Sequence, residues 1–164
     1  MLTYNEETMF TFSKRSMANL KGVHEDLTTI MVEAITTSPI DSGVSCGLRT
    51  KDEQRELVRE GKSTTMNSRH LTGHAVDIYA YIDGAANWEM PNYKTIADHV
   101  KSIARNNGVD LEWGGDWDSF PDGPHFQLSW GSYVEESEIP DEDQEESIGE
   151  RPSDTEVPSE DSEK

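Results

Sequence analysis

SRHLTGHAVDIYAY, residues 68–81, sets two histidines and an aspartate at the mouth of an apolar, aromatic run. From Ala75 onward the residues alternate. Ala75, Asp77 and Tyr79 fall on one face of an extended chain, while Val76, Ile78 and Ala80 fall on the other. The pattern predicts a strand from Ala75 to Ile82. Asp77 is then a lone charge on a strand that otherwise packs well, and a buried carboxylate needs a partner. The nearby candidates are Arg69, His70, His74 or a metal ion.

Outward from this strand the chain reads as helices first, then strands interleaved with helices. Met9 to Asn19 predicts a short helix opened by Thr11 or Ser13. His24 to Thr37 predicts a second, with Leu27, Ile30, Met31 and Ala34 at helical spacing. DSGVSCGLR, residues 41–49, reads as a strand. Thr50-Lys51-Asp52-Glu53 has the form of a capping box and starts a helix that runs to Gly61. A Ser/Thr/Asn loop at 63–68 leads into the central strand. Tyr93 to Asn106 predicts a fourth helix before Asn107-Gly108, and Val109–Trp113 and His125–Trp130 predict further strands. The order points to an α+β fold, a small and mainly antiparallel sheet with flanking helices.

Composition bounds the rest. A chain of 164 residues fits one domain able to fold alone. No apolar run approaches the length of a membrane span, so no membrane insertion is expected. MLTYNEETMF lacks the charged-then-apolar form of a secretory signal, which predicts synthesis in the cytoplasm. Of the net charge of −19, residues 134–164 hold −12 (14 acidic, 2 basic), leaving −7 for the rest (19 acidic, 12 basic). Spread evenly, this charge would argue against nucleic acid, but most of it sits in the last residues, leaving a mildly acidic domain with an acidic tail; no nucleic-acid partner is expected. The last 31 residues have no aromatic residue and too little apolar surface to offset their ordering entropy. The expected organisation is a domain at 1–133 and a disordered acidic tail at 134–164. A single cysteine, Cys46, excludes an internal disulfide and a cage of several thiolates, and reads as a buried small residue at a strand end.

A second polar cluster lies in DGPHFQLSW, residues 122–130. His125 and Gln127 share a strand face, and the Gly-Pro turn brings Asp122 toward His125. Two histidines and a carboxylate are a common catalytic zinc set with one position open. A further carboxylate beside it would serve as general base. Spacing alone leaves open whether His70 or His74 completes the set.

The segment Ser68-x-His70-x-x-Gly73-x-Ala75-x-Asp77, followed by Asp122-x-x-His125, resembles the VanY-type D-alanyl-D-alanine carboxypeptidase family of zinc peptidases. Within it, the pattern is most similar to phage endolysins that cleave between L-alanine and D-glutamate in peptidoglycan stem peptides. Gly47-Leu48-Arg49-Thr50 with Gln54, and Glu112-Trp113-Gly114-Gly115-Asp116-Trp117, extend the resemblance over residues 10–130. It implies a hedgehog/D-Ala-D-Ala-peptidase-like fold. It also implies zinc held by His70, Asp77 and His125, with Asp122 as catalytic base and acid and Arg49 as an oxyanion donor. The family's histidine stands seven residues before its aspartate, which selects His70 and leaves His74 a structural role. Ser68 is expected to orient substrate or the His70 loop, and Trp113 and Trp117 to be core or rim. Asp at 122, where carboxypeptidases of the family carry Glu, favours an endolysin acting on bacterial peptidoglycan as a monomer. It would be made in the host cytoplasm and act at the wall. The rival readings are a D-Ala-D-Ala or L,D-carboxypeptidase on the same scaffold, and a hedgehog-like zinc-binding module without catalysis.

Overall fold

The computed structural model describes residues 9–133, so the predicted tail at 134–164 lies outside the described residues. Helix α1 spans Lys14–Asn19 and α2 spans Glu25–Thr37. Strand β1 is Asp41–Cys46, α3 is Lys51–Arg59, β2 is Ala75–Ile82 and β3 is Ala85–Asn87. Helix α4 is Met90–Asn106, followed by β4 at Leu111–Trp113 and β5 at His125–Leu128. The α+β expectation is borne out, with every strand pairing antiparallel in the order β1-β2-β5-β4 and β3 on the far half of β2.

Local chemistry sets the boundaries. The capping box forms as read: Thr50 Oγ1 accepts from Glu53 N, and Glu53 returns the bond to Thr50 N. Helix α1 is shorter than expected because Ser13 is its N-cap, accepting from Ser16 N. His24 caps α2 through Nδ1, which accepts from Asp26 N. Helix α4 begins three residues earlier than expected, with Pro91 in its first turn, where a missing N–H costs nothing. The short β3 has no apolar run to announce it and exists through its pairing with β2.

The sheet has two unlike faces. Val44, Val76, Ile78, Ala80, Phe126 and Leu128 join the core with Leu27, Ile30, Met31 and Ala34 of α2 and Ile96, Ala97 and Val100 of α4. Each large apolar side chain so buried contributes about 1.5–3 kcal/mol. The opposite face carries the polar residues. Its register decides the site: Asp77 pairs with His125 on one side and with Cys46 on the other. Cross-strand partners share a face, so three polar side chains converge at one level of the sheet.

Candidate metal centre

Asp77 lies at the middle of this convergence and is almost fully buried. His125 reaches it from β5, with Nδ1 3.0 Å from Oδ1. His70 arrives from outside the sheet, on a 3-10 turn at Arg69–Thr72, with Nε2 3.2 Å from Oδ2. Ser68 caps that turn by accepting a hydrogen bond from His70 N, so its hydroxyl orients the His70 loop. Gly73 closes the turn at φ 79°, a left-handed conformation that favours glycine. A Cβ there would also meet Gly22 O at 2.4 Å.

The histidine tautomers are set by their outer partners. His70 Nδ1 lies 2.8 Å from Gly47 O, a carbonyl that can only accept, so Nδ1 carries the proton. His125 Nε2 lies 2.7 Å from Gln127 Oε1 and donates to it. Both remaining ring nitrogens, His70 Nε2 and His125 Nδ1, therefore present lone pairs to the two oxygens of Asp77. Neither His70 Nε2 nor Asp77 Oδ2 makes a hydrogen bond. Lone pairs facing one another in a dry interior repel unless a cation lies among them. The separations of 3.0 and 3.2 Å are close to the ~3.3 Å between ligands of a tetrahedral ion with bonds of about 2.0 Å. In chemical type the donors suit zinc, with His70 and His125 belonging to two separate groups of close ligand atoms that meet at Asp77, and the outer hydrogen bonds to Gly47 and Gln127 have the form that orients metal-bound histidines.

Electrostatics state the same demand. Burial works to keep His70 neutral, but the charge of Asp77, helped by Cys46, outweighs it and holds the imidazole well above its usual range. Burial likewise opposes ionisation of Asp77, yet the positive charge of a protonated His70 holds its carboxyl far below the carboxylate range. Without metal, a proton on His70 supplies the positive charge. Its raised pKa contributes stability that is present below about pH 6.5 and lost as pH rises through the raised value. The contribution of Asp77 is present above about pH 3.9 and lost as pH falls through its lowered value. Zinc-free protein is thus expected to lose thermal stability on the alkaline side of neutrality. Zinc affinity should rise over the same range, because the ligand proton must leave. Thermal unfolding with and without zinc checks the opposed slopes, and parallel curves would exclude His70 as the shared site of proton and metal.

Asp122 stands beside the cluster, its carboxylate within 4.8 Å of ligand atoms of Asp77 and His125. A 3-10 turn at Gly114–Asp116 holds it, with Asp122 N donating to Gly114 O at 2.9 Å. A Cβ on Gly114 would come within 2.5 Å of Asp122 O and 3.1 Å of His125 Cβ, so this close approach requires glycine. Trp113 is core, as expected, and its Nε1 donates to Gly123 O, fixing the turn between Asp122 and His125. Trp117 does more than line a rim, since its ring lies 5.2 Å from that of His125.

Arg49 is buried, with Nη1 donating to Gln54 Oε1 at 2.6 Å and Nη2 3.8 Å from Asp77 Oδ2. Cys46 departs from the sequence reading. It is half-buried, and a bulge between Val44 and Cys46 turns it onto the site face. Its Sγ lies 3.7 Å from His70 Nδ1 and accepts from Arg49 Nη2 at 3.2 Å. Cys46, His70 and Asp77 thus form one group of potential ligands, and Asp77, Asp122 and His125 form another that shares only Asp77 with it. A bulge has no signature in DSGVSC, and only the pairing reveals it. His74 is turned to other partners: Nδ1 lies 2.7 Å from Thr72 Oγ1, and its ring packs 5.3 Å from that of His24.

Comparison with known proteins gives consistent results. A family model described as phage L-alanyl-D-glutamate peptidase matches residues 8–129. The chain is 27% identical over 128 residues to the L-alanyl-D-glutamate peptidase of Escherichia phage T5, covering 76% of this chain and 93% of that one. It is 36% identical over 86 residues to the L-alanyl-D-glutamate peptidase of Listeria phage A118, covering 52% of this chain but only 30% of that longer protein. The crystal structure of the Serratia marcescens L-Ala D-Glu endopeptidase ChiX superposes with a TM-score of 0.72 at 46% identity, over 79% of this chain and 97% of that one.

Proposed function

The chain belongs to the phage L-alanyl-D-glutamate peptidase family, and on that premise we propose that it is a zinc-dependent endopeptidase hydrolysing the L-alanyl-D-glutamate bond of peptidoglycan stem peptides. The observation that carries the zinc requirement is the pair of imidazole lone pairs held against both oxygens of Asp77. His70, Asp77 and His125 would hold the ion. When bound, zinc supplies Lewis acidity at the scissile carbonyl and acidifies water.

The chain's own residues supply the rest. Asp122 accepts a proton from the attacking water and delivers one to the leaving amine of glutamate, the exchange a carboxylate beside the cluster is suited to make. Arg49 is preorganised by Gln54 and Cys46 and offers positive charge to the developing oxyanion. Ser68 holds the His70 turn, and Trp117 excludes water from one side of His125. In this reading the enzyme is made in the cytoplasm of a phage-infected cell and acts as a monomer on the wall. Among the described residues no helix is long and apolar enough to cross a membrane.

A synthetic stem peptide tests the reading. Zinc-loaded protein is expected to cleave it between L-alanine and D-glutamate, to stop after chelation and to recover with added zinc. Undiminished cleavage by metal-stripped protein would remove zinc from the mechanism.

A further inference from the structure

A cavity of about 450 Å³ lies between α1, the segment after β1 and the first turns of α3. It shares a wall with the metal centre. Cys46 and Arg49 line it and also approach His70 and Asp77. The wall is fixed in place: Asn19 Nδ2 donates to Val44 O at 2.8 Å, tying α1 to β1, and Arg49 N donates to His70 O at 2.9 Å.

Its charged lining is unevenly committed. Glu53 is engaged in the capping box with Thr50, and Glu56 pairs with Arg59 on its own helix. Arg49 is held by Gln54 and Cys46. Lys21 makes no ion pair among the described residues, yet it lines the cavity. In a chain with 33 acidic and 14 basic residues, Lys21 is a cationic residue at this cavity that no ion pair among the described residues uses.

The proposed substrate has a matching anion. Glutamate bears two carboxyl groups and continuation of the peptide consumes one, so a free carboxylate lies a few bonds from the leaving nitrogen. We infer that this cavity is the subsite for the glutamyl side of the peptide and that Lys21 binds its free carboxylate, making Lys21 a specificity-determining residue. The inference rests on the peptidase reading above.

The test compares two synthetic stem peptides, one with the free carboxylate on glutamate and one with a carboxamide there. Wild-type protein should favour the carboxylate peptide in kcat/KM by about fivefold, the upper end for an exposed charge pair, mainly through KM. Lys21→Gln should bring the ratio toward one, and Lys21→Glu should invert it. Lys94→Gln, which alters the bulk charge equally from the outer face of α4, should keep the wild-type ratio. Calorimetry on Asp122→Ala should show the same preference without turnover, lost in the double variant with Lys21→Gln. Cleavage of both peptides with an equal ratio in wild type and Lys21→Gln, or an equal fall in Lys94→Gln, overturns the role of Lys21 alone. Cleavage of neither peptide by zinc-loaded wild type overturns the peptidase reading and this inference with it.

Discussion

Alanine at His70, Asp77 or His125 is expected to leave protein that purifies with far less than one zinc per chain and has no measurable peptidase activity, whereas His74→Ala keeps both. Loss of an outer partner of a metal ligand already costs about 10–100-fold in affinity, so loss of a ligand should cost more. His70 and His125 each use one ring nitrogen on an outer acceptor and turn the other to Asp77. His74 instead spends its Nδ1 contact on Thr72 and packs against His24. Metal analysis of the four variants checks the assignment. Zinc lost from His74→Ala and retained in His70→Ala would contradict it.

Asp122→Ala should hold its zinc and its fold yet lose about a hundredfold to ten-thousandfold in kcat, the range for general acid–base catalysis. The turn that carries Asp122 is fixed by backbone bonds to Gly114 and by Trp113 on Gly123, none of which the substitution removes. The proposed ligands are His70, Asp77 and His125, which the substitution leaves in place. Turnover within a few-fold of wild type would take Asp122 out of the mechanism and make another group the base.

Much of this arrangement is legible in the sequence because its physics is local. Alternation in AVDIYAYI defines β2 to the residue, and Thr50 with Glu53 announces α3. Asp77 stands out as a charge on a strand that must be buried. The choice of His70 over His74 is different, since both lie near Asp77 in the chain and only the family resemblance separated them. In the structure the short turn capped by Ser68 and closed by Gly73 carries His70 to the cluster, while His74 leaves in the direction of α2. Cys46 and Trp117 were out of reach for another reason. One is turned inward by a bulge and the other leans on a histidine eight residues away through a loop. Register and loop path arise from tertiary packing, for which a single sequence carries no periodic signal. The role of Gln127 was half visible: its shared face with His125 could be read, but not that its side chain sets the histidine's tautomer.

The most direct measurement is digestion of purified peptidoglycan by zinc-loaded protein, followed by mass spectrometry of the released pieces. The account predicts fragments with a newly exposed amino group on D-glutamate, absent after chelation and nearly absent with Asp122→Ala. Release of only carboxy-terminal D-alanine, or an intact wall under conditions where zinc is bound, would contradict it.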